Sequence, residues 1–162
     1  MMIASQIARF ISLIYDNLSA KALDSRRITM YNGVANIFLG ISYLFLNALT
    51  GAICSFICIL RNFIFYKFKN KLPILVLLLY FAIVIALNIK EIHILIDIIP
   101  LLLVIIFGSA LYYQDPLKIK YAGIIVSLLE IIYDYYYKSY MGIFCCVVYI
   151  FVTLISLKER KN

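Results

Sequence analysis

The sequence contains no tryptophan, one histidine, three prolines and only eight acidic residues. Each scarcity removes a class of protein. With His93 alone, a metal site would need several thiolates close by. The four cysteines, Cys54, Cys58, Cys145 and Cys146, instead fall inside apolar runs, where they read as small, soft packing residues and imply no disulfide framework. No nucleophile elbow, paired-histidine motif or phosphate loop occurs. The expectation is therefore no catalytic residue, no metal, no cofactor and no enzyme. Charge is scarce as well, at 14 % of residues against roughly 25 % in a soluble domain.

What is abundant is apolar side chain, 65 % of 162 residues, with a mean hydropathy of +1.02. That describes a single all-α integral membrane domain over 1–162. The net charge of +7 belongs to basic clusters between apolar runs, which is how cytoplasmic loops look, so nucleic acid is not an expected partner. "MMIASQIARF" has no basic stretch before its apolar residues and no small-residue cleavage site, so no signal peptide is expected there. Membrane lipid, a small polar solute and further copies of the chain are the partners the composition allows.

Runs long enough to cross a bilayer predict seven spans, at about 3–20, 30–48, 50–67, 73–89, 92–113, 117–137 and 140–157. Span 1 is the weakest, interrupted by Arg9, Asp16 and Asn17, and an interfacial amphipathic helix is its alternative. Pro73 and Pro116 suit first helical positions, and Asp115 suits the N-cap before Pro116. Lys21, Arg26 and Arg27, then Lys67, Lys69 and Lys71, then Lys118 and Lys120, then Lys158, Arg160 and Lys161 fall on one side. Only Lys90 and Lys138 fall on the other, which places the N-terminus outside and the C-terminus inside.

A shift of 91 residues lays "NALTGAICSF" on "KSYMGIFCCV", matching Gly51 with Gly142 and Cys54 with Cys145. The layout predicts two parallel three-helix repeats, 1–69 and 92–158, joined by a linker helix within 70–91, a 3+1+3 arrangement. The linker span has only Tyr80 and Asn88 as polar handles.

Polar groups in hydrocarbon usually face a bundle interior or a watery cavity. On span 2, Asn32, Asn36 and Tyr43 share one stripe; on span 6, Ser127, Glu130 and Asp134 share another. The same shift maps Ser127 to Asn36 and Asp134 to Tyr43. These six are the candidate pathway residues. Counted from the basic loops, Glu130 and Arg9 lie about 15 Å and 18 Å deep, and Asp16 and Arg61 in the inner third. The expectation is that Arg9 faces Glu130 and that Arg61 faces Asp16. Pro100 should kink span 5 as a plain bend or a hinge, with His93 and Asp97 on a solvated outer rim. "YDYYYKSY" reads as an interfacial aromatic belt.

"SRRITMYNGVANIFLGISYLFLNALTGAICSFICILRNFIFYKF" and "LKIKYAGIIVSLLEIIYDYYYKSYMGIF" together resemble the YgjV-type family of bacterial inner-membrane proteins. The turn "LTGA" followed by "ILRNFIFY" is similar to that family's span 2–3 hairpin. The resemblance implies a multi-pass protein of the cytoplasmic membrane and names no activity. In helix layout the chain also looks like SWEET, PQ-loop and PnuC-type transporters, although the Pro-Gln pair of PQ-loop proteins is absent: span 1 has no proline, and Leu101 follows Pro100. The functional expectation is a small-solute transporter or facilitator with a polar pathway between two bundles. The alternative is a non-transporting membrane protein acting as assembly partner or regulator.

Overall fold

Apolar runs in lipid can satisfy their own peptide groups only by coiling into helices. The computed structural model describes residues 2–68, 74–92 and 94–159, and among them there is no strand. Seven α-helices follow in order: α1 (Met2–Lys21), α2 (Ser25–Phe45), α3 (Leu49–Lys67), α4 (Ile74–Asn88), α5 (Ile99–Tyr112), α6 (Pro116–Tyr136) and α7 (Tyr140–Glu159). A short 3-10 turn, Leu95–Ile98, leads into α5. Four stretches, Ser25–Phe45, Leu49–Lys67, Leu95–Tyr112 and Tyr140–Glu159, are each long and apolar enough to cross a membrane. α1 and α6 carry buried charges that lower their hydropathy, and α4 is apolar but shorter. Pro73, Lys69, Lys71, His93, Arg160 and Lys161 lie outside the described residues.

The helix ends follow local chemistry. Asp115 accepts a hydrogen bond from the Leu117 N–H at 2.9 Å, and Pro116 fills the first helical position, where its missing N–H is not needed. Pro100 does not kink a continuous helix over 92–113. It sits in the first turn of α5, just after the 3-10 turn, again where no donor is required. α2 also starts earlier than the span expected at about 30–48, whereas α6 starts at Pro116, as expected. Arg26, Arg27, Lys118 and Lys120 therefore lie on helices rather than in loops, and Lys120 is buried with its ammonium 2.7 Å from Ser156 Oγ.

The helices close into a ring. α1 packs on α2, α2 on α3, α3 on α5, α5 on α6, α6 on α7, and α7 returns to α1. α4 stands outside it, touching α3 and α5. α1 packs between α7 and α2. Ser5, Ser12 and Ser19, one every seventh residue, form its seam with α2. Ser5 meets Ser42 at 2.9 Å, Ser12 donates to the Ala35 carbonyl at 3.1 Å, and Ser19 to the Ile28 carbonyl at 3.3 Å. Small hydroxylated residues let helix backbones approach closely while satisfying their own polar groups.

Two connections are built alike. Asn47 and Lys138 both take a φ of 56°. The Ala48 N–H donates to the Tyr43 carbonyl at 3.0 Å, and the Ser139 N–H to the Asp134 carbonyl at 2.8 Å. A Cβ on Gly51 would press on the Tyr133 and Tyr43 rings, and one on Gly142 would overlap the Asp134 carboxylate, so both sites require glycine's close approach. At the opposite helix ends, the Asp24 carbonyl accepts from the Ile28 N–H at 3.1 Å and the Asp115 carbonyl from the Ile119 N–H at 3.0 Å. Members of each corresponding pair are 91 residues apart.

Candidate functional site: a charged cavity

All six ring helices, and not α4, contribute to a central cavity of about 100 Å³, with room for several water molecules. Of the candidate pathway residues, Asn32, Asn36, Tyr43, Ser127 and Glu130 line it, whereas Asp134 stands behind Glu130. Arg9, Asp16, Arg61 and Pro100 line it too, and Asp97 does not.

One wall is a closed knot of charge. Arg9 Nη2 donates to Glu130 Oε1 at 2.8 Å and to Asp134 Oδ2 at 3.0 Å. Tyr43 OH lies 3.1 Å from Glu130 Oε1 and 3.1 Å from Asp134 Oδ1. Cys146 Sγ approaches Glu130 Oε2 at 3.5 Å, and Cys145 Sγ donates to the Arg9 carbonyl at 3.6 Å. The ligand atoms of Glu130, Asp134 and Cys146 lie within 4.8 Å of one another, close enough to hold a cation. Here the guanidinium of Arg9 is that cation. Such a pair is costly to bury but far costlier to break, because one lost partner strands the other charge. Above the knot, the rings of Tyr43 and Tyr133 meet edge to face at 5.3 Å, and Tyr133 OH accepts from the Gly51 N–H at 3.1 Å.

The far wall is different. Arg61 is 3 % exposed, yet among the described residues its only acceptor is Asn62 Oδ1, 3.1 Å from Nε and 3.0 Å from Nη2. Its Nη1 is buried and makes no hydrogen bond among the described residues. The guanidinium stacks over Phe107 at 5.3 Å. Asn62 Nδ2 donates to Asn32 Oδ1 at 2.9 Å, and Asn36 Nδ2 donates to the same oxygen at 3.0 Å. No ion pair joins Arg61 to Asp16 among the described residues, which corrects that expected pairing; the Asp16 carboxylate accepts only from Ser12, at 3.2 Å. α1 and α3 each pack on α2, and both contribute to the cavity lining.

Two further expectations change. Asp97 is not on a solvated rim: it is 3 % exposed, accepting from Tyr137 OH at 2.7 Å and from the Ile94 N–H at 3.2 Å. The tyrosine run divides accordingly. Tyr135, Tyr136 and Tyr140 are exposed as a belt would be, whereas Tyr133 is fully buried and Tyr137 is tied to Asp97. The serine seam was missed altogether. Its signal is in the sequence, since Ser5, Arg9, Ser12, Asp16 and Ser19 alternate four and three apart on one helix stripe.

The class defined by this fold and site is a helical membrane protein whose helices surround a charged internal cavity. More narrowly, the chain matches the Imp-YgjV family, described as bacterial inner membrane protein, over residues 3–161, and it belongs to that family. No curated protein and no solved structure matches it significantly, so the likeness to SWEET and PnuC-type transporters is not found by comparison.

Proposed function

We propose that this protein is a conduit, rather than an enzyme, passing a small polar solute across the inner membrane between two parallel three-helix bundles, α1–α3 and α5–α7. α4 is the linker, the N-terminus lies outside and the C-terminus inside. One observation carries the reading: the six helices assigned to the bundles close a ring around a polar cavity from which the linker alone is excluded. The matched hairpins, with Asn47 and Lys138 in the same conformation and the same bonds around them, support a repeated unit. Ile28 and Ile119, both about 1 % exposed, meet in one apolar cluster with Phe65, Phe107 and Leu111 toward the basic-loop side, where a plug would lie. Rocking one bundle against the other would part that cluster and expose the cavity.

A second reading has its own support. The carboxylates of Glu130 and Asp134 are both engaged by Arg9 and Tyr43, as buried polar groups serving packing alone would be, although Arg9 Nε has no partner among the described residues. On that reading the protein is an assembly partner or regulator. Flux separates the two. In proteoliposomes offered a panel of small polar metabolites, Glu130→Gln should abolish uptake while helicity and elution profile stay native. Uptake that Glu130→Gln leaves unchanged, or no uptake of any solute, would sink the conduit.

A further inference from the structure

Two cavity-lining side chains of opposite charge type, Arg61 and Asp16, form no ion pair among the described residues, although Arg9 lies within electrostatic reach of Asp16. Arg61 has no carboxylate partner among the described residues, and its Nη1 is an unused buried donor. Asn32 stands beside it in the chain of amides. Its Oδ1 already takes two N–H groups, from Asn62 and Asn36, and its own Nδ2 donates to no acceptor among the described residues. Both residues line the cavity, so this wall offers donors and a positive charge and asks for an acceptor-only group. Asp16, on the wall made by α1, accepts from one hydroxyl and has no ion-pair partner among the described residues. Glu130 and Asp134 cannot supply an anion to Arg61, because both are engaged by Arg9.

A buried charge is held at high cost unless it is paired. Arg61 is buried and Asp16 half-buried, and although both line one space they do not join across it. We propose that the solute itself completes them: a small dipolar molecule, of the α-amino-acid type, whose oxyanion sits at Arg61 and Asn32 and whose cationic nitrogen faces Asp16. A simple anion would add to the three carboxylates already lining or backing the cavity. A simple cation would leave Arg61 uncompensated. A dipolar solute satisfies both walls and leaves the net charge of the site unchanged. The inference rests on the conduit reading and adds the substrate class to it.

Thermal unfolding of the full-length protein in nanodiscs tests this, with glycine, alanine and glutamine as dipolar probes. Propionate and alaninamide serve as the singly charged controls, and propionamide as the neutral one. Ligands that bind the folded state raise the midpoint with concentration. The dipolar probes should do so at lower concentration than any control. Arg61→Gln should weaken that effect by about ten- to a hundredfold, as expected for losing one charge-assisted hydrogen bond. Because Arg61→Gln could fail to fold, Asn32→Asp provides a second arm: it gives Arg61 an internal counter-ion, so the midpoint without ligand should rise and the amino-acid response should vanish. If propionamide protects as well as alanine, or if Asn32→Asp leaves the alanine response intact, the dipolar assignment is overturned while the conduit stands. If no probe protects, the assignment falls as well, and proteoliposome flux of the wider metabolite panel decides the conduit separately.

Discussion

Arg9 shows how far depth alone can carry a residue argument. Counting residues from the basic loops puts Arg9 and Glu130 at similar depths, and they meet at 2.8 Å. The addition of Asp134 follows from helix geometry, four residues on from Glu130 and on the same stripe. The same counting puts Arg61 level with Asp16, yet they do not meet. Depth fixes height along the membrane normal and says nothing about position around the bundle, which α2 and the cavity set here. Replacing Arg9 with methionine should leave two buried carboxylates without their cation and cost about 3–5 kcal/mol of stability, read from thermal unfolding in detergent. Replacing Glu130 and Asp134 with leucine in the same protein should recover most of that loss, since apolar groups of similar size can replace a buried ionic cluster. Failure of the triple variant to gain over Arg9→Met would show that the knot does more than neutralise charge.

At the scale of the helix, apolar runs located the elements well but misplaced several ends. α2 starts inside what reads as basic loop, because an N-terminal turn can carry arginine with its charge kept in reach of water, as with Arg26 over the Tyr66 ring at 4.4 Å. α5 begins at its proline rather than bending there. The hairpin turns are legible only once the backbone is known. Asn47 is a residue that tolerates a positive φ, whereas Lys138, in the matching place, is not. Lys138 is exposed in a short turn, so Lys138→Asn should relieve strain without touching the packing. The expected gain is up to about 1 kcal/mol, seen as a small rise in melting temperature. The same substitution placed at Lys90 should do nothing comparable.

For the whole molecule, charge asymmetry between loops gives a direction across the membrane that helix packing by itself does not. A fluorescent protein fused after Asn162 should fluoresce in cells if the C-terminus is inside, and an alkaline phosphatase fused there should be inactive. The reverse pair of results would invert the proposed orientation and put the Ile28–Ile119 cluster on the outer side. Closure of the ring could not be read from sequence. Nothing in the apolar pattern of α1 or α7 states that they touch, because in lipid both faces of a helix can be equally apolar.

That contact between α1 and α7 also sets an order of events during synthesis. Every other ring contact joins neighbours in sequence or helices bridged by α4, whereas this one joins the first helix to the last. As helices enter the membrane in chain order, α1 waits with its arginine unsatisfied until α6 delivers Glu130 and Asp134, and the wall stays open until α7 seats Cys145 against the Arg9 carbonyl and the Met141 N–H against Gln6. On that order the cavity is the final product of folding, because a chain halted before α7 lacks the contacts that close the charged wall.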